Sequence, residues 1–288
     1  MQSPSRSSHA TRAAAEQTAL AFAAEHRFVT AAQVAALLDV DVAAASRRLR
    51  SLTAAGALER QAPLRGRPAL YRATAAGIRA AGGDLRAAGP VALALQAHDQ
   101  ALGWLMLRLL EGGLGEVAMV IGERRMRSED RRASAGQPRH GVRLGGTGPR
   151  GESRLHYPDL IAVTPEGRRV AFELERTTKG PARLEGILAG YAADRRIDAV
   201  VYLAEREGTA AAVRRAARRM RLAGLVSVYR VRLEPDRTPR GHAAAPARSG
   251  TVPACSGAGP ARSGAAIAAG RRAGQAAGHR AGQAGVGR

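Results

Sequence analysis

Residues 157–175 read YPDLIAVTPEGRRVAFELE, two apolar runs joined by a turn, and no other stretch limits the fold as tightly. Runs of this length separated by Pro and Gly form a β-hairpin, with Gly167 free to take the positive φ that the turn needs. If residues 163 and 169 pair, Asp159 stands opposite Glu173; a register shift of two brings Glu175 there instead. Either register puts the three acids on one face, with Phe172 and Leu174 on the other. Flanking helices should bury both faces of such a sheet. Neighbouring carboxylates repel, and withdrawal from water raises the cost. A hard divalent cation, arginine partners or a solvated edge could each relieve the repulsion, and Mg²⁺ suits oxygen ligands of this kind.

Lysine occurs once in the chain, at Lys179, four residues beyond Glu175. Every other position of that class is arginine. A compact ammonium differs from a guanidinium in pKa and shape, so Lys179 either reaches back toward the acids or is an exposed residue at a helix start. Both readings stay open from the sequence.

The hairpin lies within a longer alternation of patterns. A helix is expected over 91–113 and a strand over 116–121. Residues 122–154 are long, polar and basic, and are expected to be a disordered connection or a basic flap that orders on DNA. After the hairpin, Pro181 opens a helix whose Leu184, Ile187, Leu188 and Tyr191 follow helical spacing. A strand at 198–204, a helix capped by Thr209 and a strand at 225–233 complete the unit. Residues 90–233 therefore read as an α/β unit of order αβββαβ with a mixed sheet, extended by one helix and one strand.

The N-terminal part is dominated by short helices. Residues 1–12 are polar and expected to be disordered, and 13–83 form a unit of their own. Thr30 and Gln33 make a capping box ahead of Val34, Leu37 and Leu38. Asp41 caps a third helix in which Val42, Leu49 and Leu52 face inward while Ser46, Arg47 and Arg50 face solvent. Short strands at 57–60 and 69–74 flank a turn-rich loop carrying Arg65 and Arg67, and Thr74 caps a further helix.

Composition decides partners and compartment. The formal charge of +21 and a pI near 11.6 point to a polyanion. The few aromatics fall in segments expected to pack, which argues against a base-stacking platform and for duplex DNA. Beyond Pro235 the chain is Ala, Gly, Pro and Arg without periodicity, so 234–288 is expected to be a disordered basic tail. Cys255 is the single cysteine, which suits a reducing cytoplasm; no segment reads as a membrane span or an apolar leader. Scattered histidines offer no zinc set, and the absence of GxxxxGK[ST] excludes a phosphate-binding loop of that type. His98 and Asp99 read as surface or capping groups; His156 could touch a phosphate.

Residues 29–77 resemble the winged helix-turn-helix superfamily over their whole length. That resemblance implies a third helix in the major groove and a wing along backbone phosphates. The order of elements in 90–233, with PD at 158–159 and ELE at 173–175, resembles the PD-(D/E)XK restriction-endonuclease-like superfamily. It implies that Asp159 and Glu173 bind Mg²⁺ or Mn²⁺. The superfamily's lysine position is held by Glu175, an auxiliary ligand or base in that scheme, with Lys179 as a migrated cation. Together the two units resemble the replication-relaxation family of plasmids and integrative elements, and the Ala- and Arg-rich composition fits an actinobacterial source. Family likeness implies DNA binding in plasmid maintenance, replication control or transfer, with other replication or transfer proteins as partners and a homodimer as a candidate assembly. Three readings follow: a DNA-binding protein with a non-cleaving nuclease-like unit, an active Mg²⁺-dependent endonuclease or nickase, and a transcription regulator whose second unit senses a ligand or dimerises.

Overall fold

A computed structural model of the chain describes residues 6–61, 67–133, 138–148, 151 and 153–232. The basic tail at 234–288, with Cys255, and the loop residue Arg65 lie outside the described residues. Helix α1 (Arg6–Glu25) starts ahead of residue 13, so the terminus expected to be disordered is helical from Arg6 onward. Nothing in RSSHATR breaks a helix, and Arg12 pairs with Glu16 one turn on at 3.2 Å.

Local signals set the next elements as the sequence suggested. Helix α2 (Ala31–Leu38) opens on the Thr30–Gln33 capping box, in which Gln33 Oε1 accepts from Thr30 N at 2.9 Å. Asp39, with φ of 52°, turns the chain into α3 (Val42–Ala54), and Asp41 accepts from Ala44 N at 2.7 Å. The buried stripe of α3 runs through Ala45, Leu49 and Leu52. Val42, expected to face inward, is 42% exposed because that stripe begins a turn later. Strands β1 (Leu58–Gln61) and β2 (Leu70–Ala73) pair antiparallel, and Val29 bridges to Tyr71 as a third rung. Thr74 caps α4 (Ala75–Ala80).

Helix α5 (Leu93–Leu110) leads to β3 (Met119–Gly122), and α6 (Glu123–Arg132), β4 (Val142–Thr147) and β5 (Ser153–His156) follow. The hairpin is β6 (Leu160–Val163) and β7 (Arg169–Glu175); α7 (Pro181–Ala193), β8 (Ala199–Ala204), α8 (Glu207–Arg219) and β9 (Val226–Arg230) close the unit. The main sheet runs β3-β6-β7-β8-β9, antiparallel as far as β7 and parallel beyond it. Val163 faces Arg169, the first of the anticipated registers, and Gly167 takes φ of 82° in the turn. Phe172 and Leu174 pack with Leu105, Met106 and Leu109 of α5, whereas Ile161, Ala171, Val200 and Tyr202 pack with α7 and α8 on the other face. Helix α8 begins ahead of its expected cap: Thr209 is buried inside it, and its hydroxyl meets that of Thr178 at 2.9 Å.

Residues 122–154, expected as a disordered segment or flap, contain a helix and a hairpin. Met126 and Val142 are fully buried, and the arginines of α6 find partners inside the molecule. Arg124 donates to the carbonyls of Ala24 and His26 at the end of α1, and to that of Arg86. This places a guanidinium on the negative pole of the α1 dipole. Arg125 bonds Glu25 at 3.0 Å, and Asp84 receives both Arg125 and Arg132. The β4–β5 hairpin sits on α7 where Gly190 lacks a side chain; a Cβ there would lie 2.8 Å from the Arg143 carbonyl.

The two sequence units share one apolar cluster. Leu49, Leu52 and Phe22 of the N-terminal helices join Leu105, Met106 and Phe172 in it. Gln33 donates to the Gln100 carbonyl at 2.9 Å, and Gly103 makes room for that amide, since a Cβ would stand 2.3 Å from Gln33 Nε2. Arg72 reaches forward to the Ala88 carbonyl at 2.9 Å, pinning the connection between the units.

His26 is enclosed at this joint, its ring 4.4 Å from that of Phe22. Burial, with the Arg124 charge nearby, pushes its pKa down from 6.5 to about 3. Between those two values the unfolded chain takes up a proton that the folded chain refuses. Stability contributed by neutral His26 is therefore complete above pH 6.5 and is lost as pH falls toward 3. We expect this group to steepen the acid limb by up to about 1.4 kcal/mol per pH unit, and His26→Phe to remove that increment in urea unfolding measured across the window. Identical slopes in the two proteins would mean that the folded chain protonates His26.

Candidate functional site

Three carboxylates converge at the end of the β6–β7 hairpin, and each has its own partner. Glu173 is 2% exposed in the middle of the sheet. Its Oε1 accepts from the Tyr191 hydroxyl of α7 and lies 2.5 Å from His156 Nε2 at the end of β5. Burial favours the neutral acid, but His156, Lys179 and the Tyr191 hydrogen bond override it and hold the Glu173 pKa below its ordinary value. Burial and the Glu173 charge push Tyr191 well up, so its hydroxyl stays a donor.

Asp159 precedes β6. Its Oδ2 accepts from Leu174 N at 2.7 Å, and its Oδ1 lies 3.2 Å from His98 Nε2 on α5. Burial opposes a charge on His98, yet the Asp159 carboxylate, with Asp99 and Glu123 nearby, raises its pKa above the usual value. The Asp159 carbonyl also receives the first amide of α6, from Glu123 N at 3.1 Å.

Glu175 shares the α7 face with Glu173 and is ion-paired with Lys179. Lys179 thus turns toward the acids and is half-buried. Burial lowers its pKa, with Glu173 and Asp159 pulling the other way and Arg183 adding to the fall. Tyr202 stands beside Glu173 on β8, its hydroxyl buried and without a hydrogen-bond partner among the described residues. Its pKa is pushed well up by burial and by the Glu173 and Asp159 charges.

The repulsion expected from the sequence is therefore relieved by His98, His156, Tyr191 and Lys179. Neither arginine nor a solvated edge supplies the relief. Both oxygens of Asp159 and Oε1 of Glu173 are hydrogen-bonded, and Oε1 of Glu175, without a hydrogen-bond partner among the described residues, is ion-paired with Lys179. Among the described residues no group of three or more His, Cys, Asp or Glu is arranged to hold a metal ion. His98 and Tyr191 are the residues that sequence reasoning missed, the first read as a surface group and the second as core alone. Within LALQAHDQALGWLMLRLL, His98 sits among Gln96, Asp99 and Gln100, so nothing in the sequence set it apart from a surface position.

The residues expected to meet DNA lie on the N-terminal unit, away from this cluster. Arg47 and Arg50 of α3 are exposed, Ser46 is half-buried, and Arg67 is exposed at the far end of the β1–β2 connection. Among the described residues no hydrogen bond or ion pair engages Arg47, Arg50 or Arg67.

The replication-relaxation family model matches residues 20–200, well over half of the chain, from α1 through the acid cluster into β8. The chain belongs to the replication-relaxation family. Neither the curated proteins nor the solved structures contain a match to it. Membership ties this replication-relaxation protein to the replication of plasmids and mobile elements. Among its described residues, no helix is long and apolar enough to cross a membrane.

The Lys179–Glu175 pair gives the cluster a measurable signature. Lys179→Met leaves a buried carboxylate without its cation and is expected to cost about 3 kcal/mol. Adding Glu175→Gln should recover most of that loss in urea unfolding. A single variant no less stable than the double would mean that the two side chains do not pair.

Proposed function

We propose that this protein binds duplex DNA through its N-terminal unit, which acts as a winged helix-turn-helix. In this reading α3 enters the major groove, and the restriction-endonuclease-like unit is a non-cleaving scaffold. One contrast carries the reading. Arg124, Arg125, Arg127, Arg132 and Arg196 are each taken up by carboxylates or carbonyls within the molecule. Arg47 and Arg50, by comparison, stand exposed on α3 without a partner among the described residues. Exposed guanidiniums on one helix suit bidentate bonding to guanine edges. Arg67, with the β1–β2 connection as a wing, suits the neighbouring phosphates. A net charge of +21 and membership in a replication family support the same partner.

Arg47→Ala and Arg50→Ala are each expected to reduce discrimination between a preferred site and random duplex by about tenfold, the effect of one lost base contact. Competition binding at fixed salt measures this. Unchanged discrimination in both variants would move base reading away from α3.

A second reading, a Mg²⁺- or Mn²⁺-dependent endonuclease or nickase, has one observation in its favour: Lys179 turns toward the acids and not toward solvent. Supercoiled plasmid incubated with the protein is expected to stay supercoiled with Mg²⁺ or Mn²⁺ as it does with chelator. Nicking that disappears in Asp159→Ala would make cleavage the function of the second unit.

A further inference from the structure

We propose that α8 carries a second duplex-binding surface, on the side of the sheet opposite α3, so that one molecule holds two DNA segments at once. The inference rests on the reading of α3 as the first DNA contact. It starts from charge: between Glu205 and Arg232 the chain carries eight arginines and two acids. Both acids are already engaged. Glu205 pairs with Arg176 at 3.3 Å, and Glu207 with Arg214 at 2.9 Å and Arg230 at 3.9 Å. Arg219 is held by Glu185 at 2.6 Å.

Three of the five remaining arginines form a row. Helix α8 buries Thr209, Ala210, Val213, Ala216 and Ala217 against the sheet, which leaves Arg215 and Arg218 exposed one turn apart. Arg221, exposed just past the helix end, extends the row three residues further with φ of 58°. None of the three side chains has a hydrogen bond or ion pair among the described residues. Residues three apart on a helix are about 5–6 Å apart, close enough for successive guanidiniums to reach neighbouring phosphates of one strand. Guanidinium is the cation suited to bidentate phosphate bonding. The row carries no aromatic or amide group to read bases or to stack, so its chemistry suits the sugar-phosphate backbone of a duplex without regard to sequence.

Placement separates this surface from α3. The α3 core residues Ala45, Leu49 and Leu52 belong to the cluster on the Leu160, Phe172 and Val201 face of the sheet. Val213, Ala216 and Ala217 of α8 belong to the cluster on the Ile161, Ala171 and Val200 face. With the sheet and α5 between the two rows, one straight duplex cannot touch both.

The test uses the full chain, a biotinylated duplex on beads and a second, fluorescent duplex. Wild type should retain the fluorescent duplex on the beads. The combined variant Arg215→Gln, Arg218→Gln, Arg221→Gln should bind the bead duplex with nearly unchanged affinity and lose capture of the second by about tenfold or more at low salt. The salt slope of capture should fall by about 2.7, the value for three phosphate contacts. Capture undiminished in the variant, as bridging by paired copies or by the tail would give, overturns the proposal. So does a wild type that binds the bead duplex but captures nothing, or a variant that loses only binding to phosphatidylglycerol vesicles. A wild type that binds no duplex at all sinks the α3 reading as well, which separates the two failures.

Discussion

A carboxylate in the middle of a sheet has to be compensated, and Glu173 sets the terms for the elements around it. Its charge is held by His156 from β5 and by the Tyr191 hydroxyl from α7, so the hairpin β4–β5 and the helix α7 are both fixed to β7 through one oxygen atom. Asp159 adds α5 through His98 and the β7 backbone through Leu174 N, and Glu175 adds the α7 entry through Lys179. Each link is polar and enclosed, where a hydrogen bond is strong and an unpaired group expensive. The cluster therefore specifies positions that apolar packing alone leaves loose. The single ammonium in a chain of guanidiniums is part of it: Lys179 pairs with Glu175 just ahead of α7.

The arginines divide into two populations, and the division organises the molecule. Those of α6 and the neighbouring turns close on carboxylates or helix-end carbonyls, and they act as internal fasteners. Those of α3 and the outer side of α8 that stand exposed have no side-chain partner among the described residues. Net charge alone does not distinguish the two groups. The count of +21 is the same whether a guanidinium is engaged or open, and only the contacts of each side chain separate the two groups.

What the sequence made legible was local. The hairpin register, the Gly167 turn, the Thr30–Gln33 box and the caps at Asp41 and Thr74 all depend on residues within a few positions of each other. What stayed hidden was long-range pairing. Arg125 meets Glu25 across 100 positions and His98 meets Asp159 across 61, and neither pairing leaves a periodic trace. Residues 122–154 looked unstructured for the same reason, since their charge masked the buried Met126 and Val142 that anchor them. Thr209 is an instructive case: a good cap by type, it spends its hydroxyl on Thr178 while the helix starts ahead of it.

The joint between α1 and α6 has a mechanical meaning. Because Arg124 grips the last carbonyls of α1 and the connection is held through Asp84 and Ala88, turning α3 against the sheet means breaking these bonds. The two units are cross-braced at several points, where a pair of modules joined by one tether would turn freely against each other.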